Sequence, residues 1–155
     1  MANDEVVLTQ DGHDQLTAEL EELKGTKRRE IAERLKQAIS YGDLKENGEY
    51  HAAKDDQAFM ETRIKQIEAM LRVARIVKAE SKSIVAVGST VVLYDEEYDE
   101  NVEYTIVGQS EADVANFKIS YESPLGKTII GKKVNDSIKV EAPVGTIVYK
   151  LLEIK

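Results

Sequence analysis

From residue 50 onward, Tyr50, Ala53, Gln57, Met60, Ile64, Ile67, Leu71 and Ala74 follow one another at alternating intervals of three and four. That alternation is a heptad seam, the pattern of a helix that lays a narrow stripe against another helix. A second seam precedes it: Leu16, Leu20, Leu23, Lys27, Ile31, Leu35 and Ala38. The spacing predicts one helix over about Asp11–Tyr41 and another from Leu44 or Asn47 to Ala79. A reversal near Asp43 sets the two seams face to face as an antiparallel coiled-coil hairpin. At 1.5 Å per residue the first helix is about 45 Å long, so the hairpin reads as a rod with Gly42–Asn47 at its tip. Val6-Val7-Leu8 is a short apolar start, and Thr9 or Asp11 can cap the first helix, with Gly12 tolerated in its first turn. After Leu23 the seam steps by four three times in succession, which resembles a stutter and predicts a distorted segment near Lys27–Ile31. Gly25, beside it, costs about 1 kcal/mol relative to alanine in a helix interior. Near the tip the second seam is weak (Tyr50, Ala53, Gln57), and it becomes aliphatic toward the base.

Beyond Ala79 the period changes. Ser89–Tyr94 and Glu103–Val107 are rich in valine, threonine, tyrosine and isoleucine and read as strands, with acidic Asp95–Asn101 as the loop between them. Lys118–Tyr121 is a third strand. Pro124–Ile130 suits a short helix ended by Gly131. Ser137–Val140 and Thr146–Ile154 form a hairpin around Pro143-Val144-Gly145. The expected fold is α+β: a helical hairpin over 1–79, a linker at 80–83, and a small antiparallel β-sheet domain with a short helix over 84–155.

Composition narrows the chemistry. The 155 residues contain no cysteine and two histidines, His13 and His51, which excludes thiolate and histidine-rich metal sites. No apolar run approaches the roughly 18 residues of a membrane span, and the N-terminus lacks the pattern of a signal peptide, so a cytoplasmic protein without a membrane partner is expected. The net charge of -8 argues against free-standing, phosphate-driven binding of nucleic acid. One basic cluster stands out: Lys24, Lys27, Arg28, Arg29, Arg34 and Lys36. It is either a solvated helix face balanced by Glu30 and Glu33 or a stripe that guides a polyanion.

The tip sequence Gly42-Asp43-Leu44-Lys45-Glu46-Asn47 carries two carboxylates. Oxygen ligands suit Mg²⁺, but Asp43 and Glu46 supply few of the six it prefers. A tip of this kind can complete a metal site whose other half belongs to a partner, and its ligand count is too small for a whole nuclease. Asp-x-x-Glu also approaches a capping box, and Asn47 is a further candidate cap, so helix capping competes with metal chemistry for these residues. His51 lies off the seam and reads as an exposed helix residue.

Tyr41-Gly42-Asp43-Leu44-Lys45-Glu46-Asn47-Gly48-Glu49-Tyr50-His51-Ala52-Ala53-Lys54 resembles the tip signature of the Gre family of bacterial transcript-cleavage factors. Leu8-Thr9-Gln10-Asp11-Gly12 with Leu16, Glu19, Leu20 and Leu23 resembles that family's opening. Ile119-Ser120-Tyr121-Glu122-Ser123-Pro124-Leu125-Gly126-Lys127, with Ile130-Gly131-Lys132 and Asp136, resembles its C-terminal half. The resemblance implies a transcription elongation factor, not itself an enzyme and acting as a monomer. Such a factor inserts its coiled coil into the secondary channel of bacterial RNA polymerase and stimulates the polymerase's own cleavage of backtracked nascent RNA. Asp43 and Glu46 would be its catalytic tip residues and would share a Mg²⁺ ion in the polymerase active centre, the ion being relevant only in that complex. A non-catalytic channel inhibitor of the same architecture is the alternative, and retention of both acids argues for cleavage. Ile39 stands where relatives often carry a basic residue, so RNA contact would fall to Lys36, Lys45 and Lys54; Gly48 replaces the usual alanine. The C-terminal domain would resemble the fold of FK506-binding proteins and dock on polymerase, with Glu122, Ser123 and Pro124 as the candidate contact. An ordinary structural turn is the competing reading of that loop.

Overall fold

The computed structural model describes residues 5–155, which form two compact units. His13–Val73 make one; the described residues up to Gly12, together with Ala74–Lys155, make the other. The chain therefore crosses between units twice, near Gly12 and near Val73, and not once through a linker at 80–83.

The His13–Val73 unit is the expected antiparallel hairpin. Its first arm is helical from α1 (Gln10–Glu22) through α2 (Arg28–Ser40), and its second is α3 (Gly48–Arg72). Between α1 and α2 the chain forms a π-helical segment, Leu23–Lys27, in which the Arg28 N–H donates to the Leu23 carbonyl five residues back. The expected distortion is thus real but lies upstream of Lys27–Ile31 and contains Gly25. A π segment inserts one extra residue into the helix and rotates everything that follows. The consequence is visible in the seam. Lys27 is exposed, and half-buried Arg28 takes its place before the apolar stripe resumes at Ile31, Leu35 and Ala38. Ile31, Met60 and Ile64 form the buried centre, with Leu20, Leu23 and Leu35 packed against it; Ala38, Ala53 and Ile67 are also buried.

The second arm stops at Arg72, short of the expected Ala79. Ala74–Ile76 is instead strand β2, paired in parallel with β1 (Val6–Leu8), and the Val77 N–H donates to the Leu8 carbonyl at 2.8 Å. Helical periodicity alone could not exclude Ala74, but Ile76 and Val77, with an apolar strand available as partner, favour the ladder. Within the same unit Thr9 caps α1, accepting from the Gly12 N–H at 3.1 Å. The Glu111 carboxylate accepts from the Thr9 and Gly108 N–H groups at 2.9 and 3.2 Å. A Cβ on Gly12 would lie 2.1 Å from the Glu111 carboxyl carbon, so any larger residue there would displace that carboxylate from Thr9 and Gly108.

A five-stranded sheet supplies the rest of this unit: β3 (Thr90–Asp95), β4 (Glu100–Val107), β5 (Lys118–Ser120), β6 (Ser137–Ala142) and β7 (Gly145–Ile154), in the order β5-β4-β3-β7-β6. The sheet is mixed, which corrects the antiparallel expectation: β5 runs parallel to β4, Thr105 opposite Lys118. The crossover that allows this consists of short 3₁₀ turns at Gln109–Glu111 and Val114–Asn116, elements too irregular for periodicity to reveal. Alternate residues of β3 and β6 point inward, and Val91, Leu93, Ile106, Ile129, Ile138 and Leu151 are fully buried. Buried Asp95 opens the β3–β4 turn by accepting from the Glu97 and Tyr98 N–H groups. Helix α4 (Pro124–Ile129) follows β5, as expected, with Pro124 at its start.

The hairpin's stability should track its buried centre. Ile64→Ala is expected to cost about 2–4 kcal/mol in urea unfolding. Phe59→Ala, at a side chain 76% exposed, should shift stability by no more than about 0.5 kcal/mol. Equal losses would mean that the seam is misassigned.

Candidate functional site at the hairpin tip

Helix α2 ends at Ser40, and α3 starts at Gly48. The seven residues between them must reverse the chain and satisfy the backbone groups that two helix ends leave open. Gly42 takes a left-handed conformation, φ 74°, where a side chain is strained. Asp43 follows at φ 38°, a region that aspartate and asparagine enter more readily than most residues. The Glu46 N–H donates to the Asp43 carbonyl at 3.2 Å and closes a turn over Leu44 and Lys45.

Capping falls to Asn47. Its Oδ1 accepts from the Tyr50 N–H at 3.0 Å, and its Nδ2 donates to the Ala38 carbonyl at 2.7 Å and more weakly to Gly42 at 3.4 Å. One side chain thus satisfies the start of α3 and the end of α2 together. The capping box considered for Asp43 and Glu46 does not form. Both carboxylates are on exposed residues, and among the described residues neither has a hydrogen-bond or ion-pair partner. His51 is exposed, as expected, but its ring is engaged: Nε2 lies 3.1 Å from the Lys45 carbonyl. Since a carbonyl only accepts, Nε2 carries the proton. Sequence reading missed this contact, because a hydrogen bond from a helix back to the turn before it has no periodic signature.

Lys45 sits on the turn between the two acids. Lys36 is on the last turns of α2, and Lys54 is in the first two turns of α3; all three are exposed. The Lys54 ammonium lies 3.4 Å from Gln57 Oε1 and 5.9 Å from the centre of the Tyr50 ring. Ile39 is 53% exposed and adds an apolar surface near the end of α2. A Cβ on Gly48 would meet nothing within 4 Å, so the absence of a side chain there opens no contact.

Further along the hairpin, most of the basic cluster is committed. Arg28 forms a two-pronged pair with Glu61, with nitrogen–oxygen distances of 3.0 and 2.9 Å. Arg34 meets Asp56 at 2.7 Å, Lys24 meets Glu68 at 3.5 Å, and Lys27 stands 4.0 Å from Glu30. The balancing acids come mainly from α3, a partnership that only hairpin closure creates. On the other side of the pairing pattern, Arg63 of α3 grips Glu19 of α1 at 2.6 and 2.9 Å. The Arg63 hydrogen bonds hold the Glu19 carboxyl below its ordinary range, against a smaller opposing effect of burial. Closure therefore pairs much of the shaft's positive charge with acids and leaves the tip carboxylates exposed.

Among the described residues, no group of three or more aspartate, glutamate, histidine or cysteine side chains converges on one point. Asp43 and Glu46, exposed and unpaired, fit the role of a partial oxygen ligand set for Mg²⁺.

The other candidate residues lie in the sheet-bearing unit. Ser123 caps α4, accepting from the Gly126 N–H at 3.1 Å and donating to the Ser120 carbonyl at 2.7 Å. The Glu122 N–H donates to Ser120 Oγ at 3.0 Å. A Cβ on Gly126 would come within 2.0 Å of the Ser120 carbonyl oxygen, so this turn is rigidly built. Burial, and secondarily Glu122, pushes the Tyr121 phenol up and keeps it protonated. Ser123 is therefore structural, as the turn reading held, while Glu122 and Pro124 are exposed. Pro124 also lines an open cleft of about 760 Å³ with Lys127, Lys139, Glu141 and Thr146.

The hairpin with an acidic, unpaired turn and the mixed-sheet unit are the two parts of a transcription elongation factor as family comparison defines it. A model described as transcription elongation factor, N-terminal, matches residues 6–76, and one described as transcription elongation factor, GreA/GreB, C-term, matches residues 80–155. The chain belongs to the Gre family. Transcription elongation factor GreA of Acetivibrio thermocellus is 52% identical over 155 residues, covering 99% of this chain and 98% of its own. Transcription elongation factor GreA of Thermoanaerobacter pseudethanolicus is 53% identical over 152 residues, covering 97% of each. Among solved structures, Thermus thermophilus GreA factor homolog 1 matches at 30% identity over 97% of this chain and 99% of its own, with a TM-score of 0.44. Among the described residues no helix is long and apolar enough to cross a membrane.

The Glu19–Arg63 pair carries a pH dependence. A carboxyl held low in the folded state stabilises above its unfolded value of about 4.3, and that contribution is lost as pH falls through the folded value. Glu19→Gln should lower the melting midpoint of hairpin helicity at neutral pH, and the gap to wild type should narrow at acid pH. A gap of equal size at both pH values would show that the pair adds no charge-dependent stability.

Proposed function

We propose that this protein is a transcript-cleavage factor for bacterial RNA polymerase. It places its hairpin tip in the secondary channel of a backtracked complex and stimulates the polymerase's own cleavage of the extruded RNA. The observation that carries the reading is the unpaired state of Asp43 and Glu46: Asn47 does the capping, so both acids are free for chemistry outside this chain. When bound in the shared site, Mg²⁺ supplies charge neutralisation and a more acidic water. Asp43 and Glu46 contribute oxygen ligands to it and orient the attacking water. The chain alone is not a nuclease, because two carboxylates leave most of an octahedral site unfilled. Lys36, Lys45 and Lys54 flank the acids and face the polyanionic RNA, while the paired shaft cations do not. The Glu122–Pro124 turn docks the sheet-bearing unit on polymerase: Ser123 sets its shape, and Glu122 and Pro124 present the surface. The factor works as a monomer in the cytoplasm.

The test is a stalled, backtracked polymerase complex incubated with the factor and Mg²⁺, with the RNA sized and then extended. Wild type should yield shortened, extendable RNA. Asp43→Asn and Glu46→Gln, which keep shape and turn propensity, should lower the maximal rate by more than about 100-fold, beyond the 10- to 100-fold usual for outer-shell losses. Their half-saturating concentration should stay near wild type. Cleavage by polymerase-free factor, or wild-type rates in both variants, would sink the proposal.

Docking is tested separately. Glu122→Lys combined with Pro124→Ala, which spares the Ser123 cap, should raise the half-saturating concentration about tenfold, equivalent to about 1.4 kcal/mol. Excess factor should restore the maximal rate. Wild-type behaviour at limiting concentration would make the turn structural only.

A further inference from the structure

Two side chains on the first turn of α3 reach back across the tip. Asn47 Nδ2 donates to the Ala38 carbonyl at 2.7 Å, tying the entry to the turn, and His51 Nε2 donates to the Lys45 carbonyl at 3.1 Å, tying its middle. Tyr50 packs its ring edge-on to His51, with centroids 5.6 Å apart, and restricts the imidazole. Between these two ties lie the consecutive left-handed residues Gly42 and Asp43 and the Asp43–Glu46 turn hydrogen bond. The first six residues of the connection are exposed, so these donors are its principal restraints. Neither side chain is needed in this form by helix formation alone. A cap requires only an acceptor for the Tyr50 N–H, which Oδ1 already provides. The second donation from Nδ2 and the whole of the His51 contact go to the turn.

We infer that Asn47 and His51 are positioning residues that act as a clasp, fixing the Asp43 and Glu46 carboxylates in one arrangement before the tip meets its target. The inference rests on the reading of those two acids as the working groups of the tip. Ligands delivered to a shared metal site from a separate chain must arrive preorganised, because ordering them on arrival subtracts from the interaction. Outer residues that orient ligands typically carry about 10- to 100-fold in activity or metal affinity, and the clasp is expected to fall in that range.

The experiment uses the full chain and substitutions that separate capping from clasping. Asn47→Asp keeps the acceptor for the Tyr50 N–H but cannot donate to Ala38. His51→Ala removes the second tie, and His51→Gln offers an amide donor in its place. Helicity measured by circular dichroism should stay at the wild-type level in all three. Backbone ¹⁵N relaxation of the free protein should show the amides of Asp43 to Glu46 becoming mobile in Asn47→Asp and His51→Ala, with partial recovery in His51→Gln. On backtracked polymerase the first two variants should lose about 10- to 100-fold in maximal cleavage rate at an unchanged half-saturating factor concentration, and they should need more Mg²⁺. Turn amides as rigid as in wild type in both variants would overturn the clasp, whatever the cleavage rates. Mobile amides with wild-type rates would overturn its positioning role while leaving the function of the acids standing, provided that Asp43→Asn is inactive in the same assay. Wild-type rates in Asp43→Asn would remove the reading on which the clasp rests and, with it, the positioning role.

Discussion

Two helices that end at the same place leave open carbonyls on one and open N–H groups on the other, and the hairpin depends on satisfying both sets within seven residues. Asn47 contributes to both with one amide, accepting from Tyr50 and donating to Ala38. An aspartate or serine cap would serve only α3. Because a neutral amide takes the structural task, the two nearby acids are spared it. An unpaired carboxylate in water costs nothing to maintain, whereas one buried in a cap would have its oxygens occupied. The separation of a neutral capping residue from the two acids leaves the carboxylate oxygens open to solvent.

The same division runs along the hairpin. Its apolar seam is narrow, and exposed ion pairs between its arms contribute little stability individually. Their larger effect is on the electrostatic surface. Arg28, Arg34 and Lys24 meet Glu61, Asp56 and Glu68 across the arms, which cancels charge along the shaft. Among the described residues, Asp43, Lys45 and Glu46 stand in close succession at the turn without such pairs, and Glu33, Lys36, Glu49 and Asp55 on the arms also lack them. The π segment at Leu23–Lys27 belongs to this scheme. By turning Lys27 outward and Arg28 toward the partner arm, it lets a guanidinium fill a seam position that no apolar side chain occupies. Its flexible stem covers apolar surface while its fork finds Glu61.

Much of the hairpin was legible in the sequence. The heptad spacing from Tyr50 to Leu71 identified the second arm and its buried face, since Ala53, Met60, Ile64 and Ile67 are all buried. The steps of four after Leu23 announced a distortion, though not that it would be a π segment placed over Gly25. The strand runs around Val91 and Ile138 and the helix opened by Ser123 and Pro124 were also readable from alternation and local turn chemistry. Both acids at the tip were found from the motif, while the role of Asn47 was seen only in part and that of His51 not at all.

The sequence by itself determined what depends on short range and on period: the helical arms, the reversal near Asp43, Asn47 as one candidate cap, the strands, and the identity of the chemical groups at the tip. These follow from intrachain spacing and residue type, both present in the linear string. The tertiary structure alone decided which groups meet. It ended α3 at Arg72 because Ala74–Ile76 found a partner in Val6–Leu8, far away along the chain. It made the sheet mixed by bringing β5 parallel to β4 through irregular turns. It set Gly12 against the carboxylate of the distant Glu111, paired most of the shaft cations with acids of the other arm, and turned His51 onto Lys45. Each of these is a contact between residues with no fixed sequence relation, settled only when competing backbone and side-chain partners are satisfied together in three dimensions.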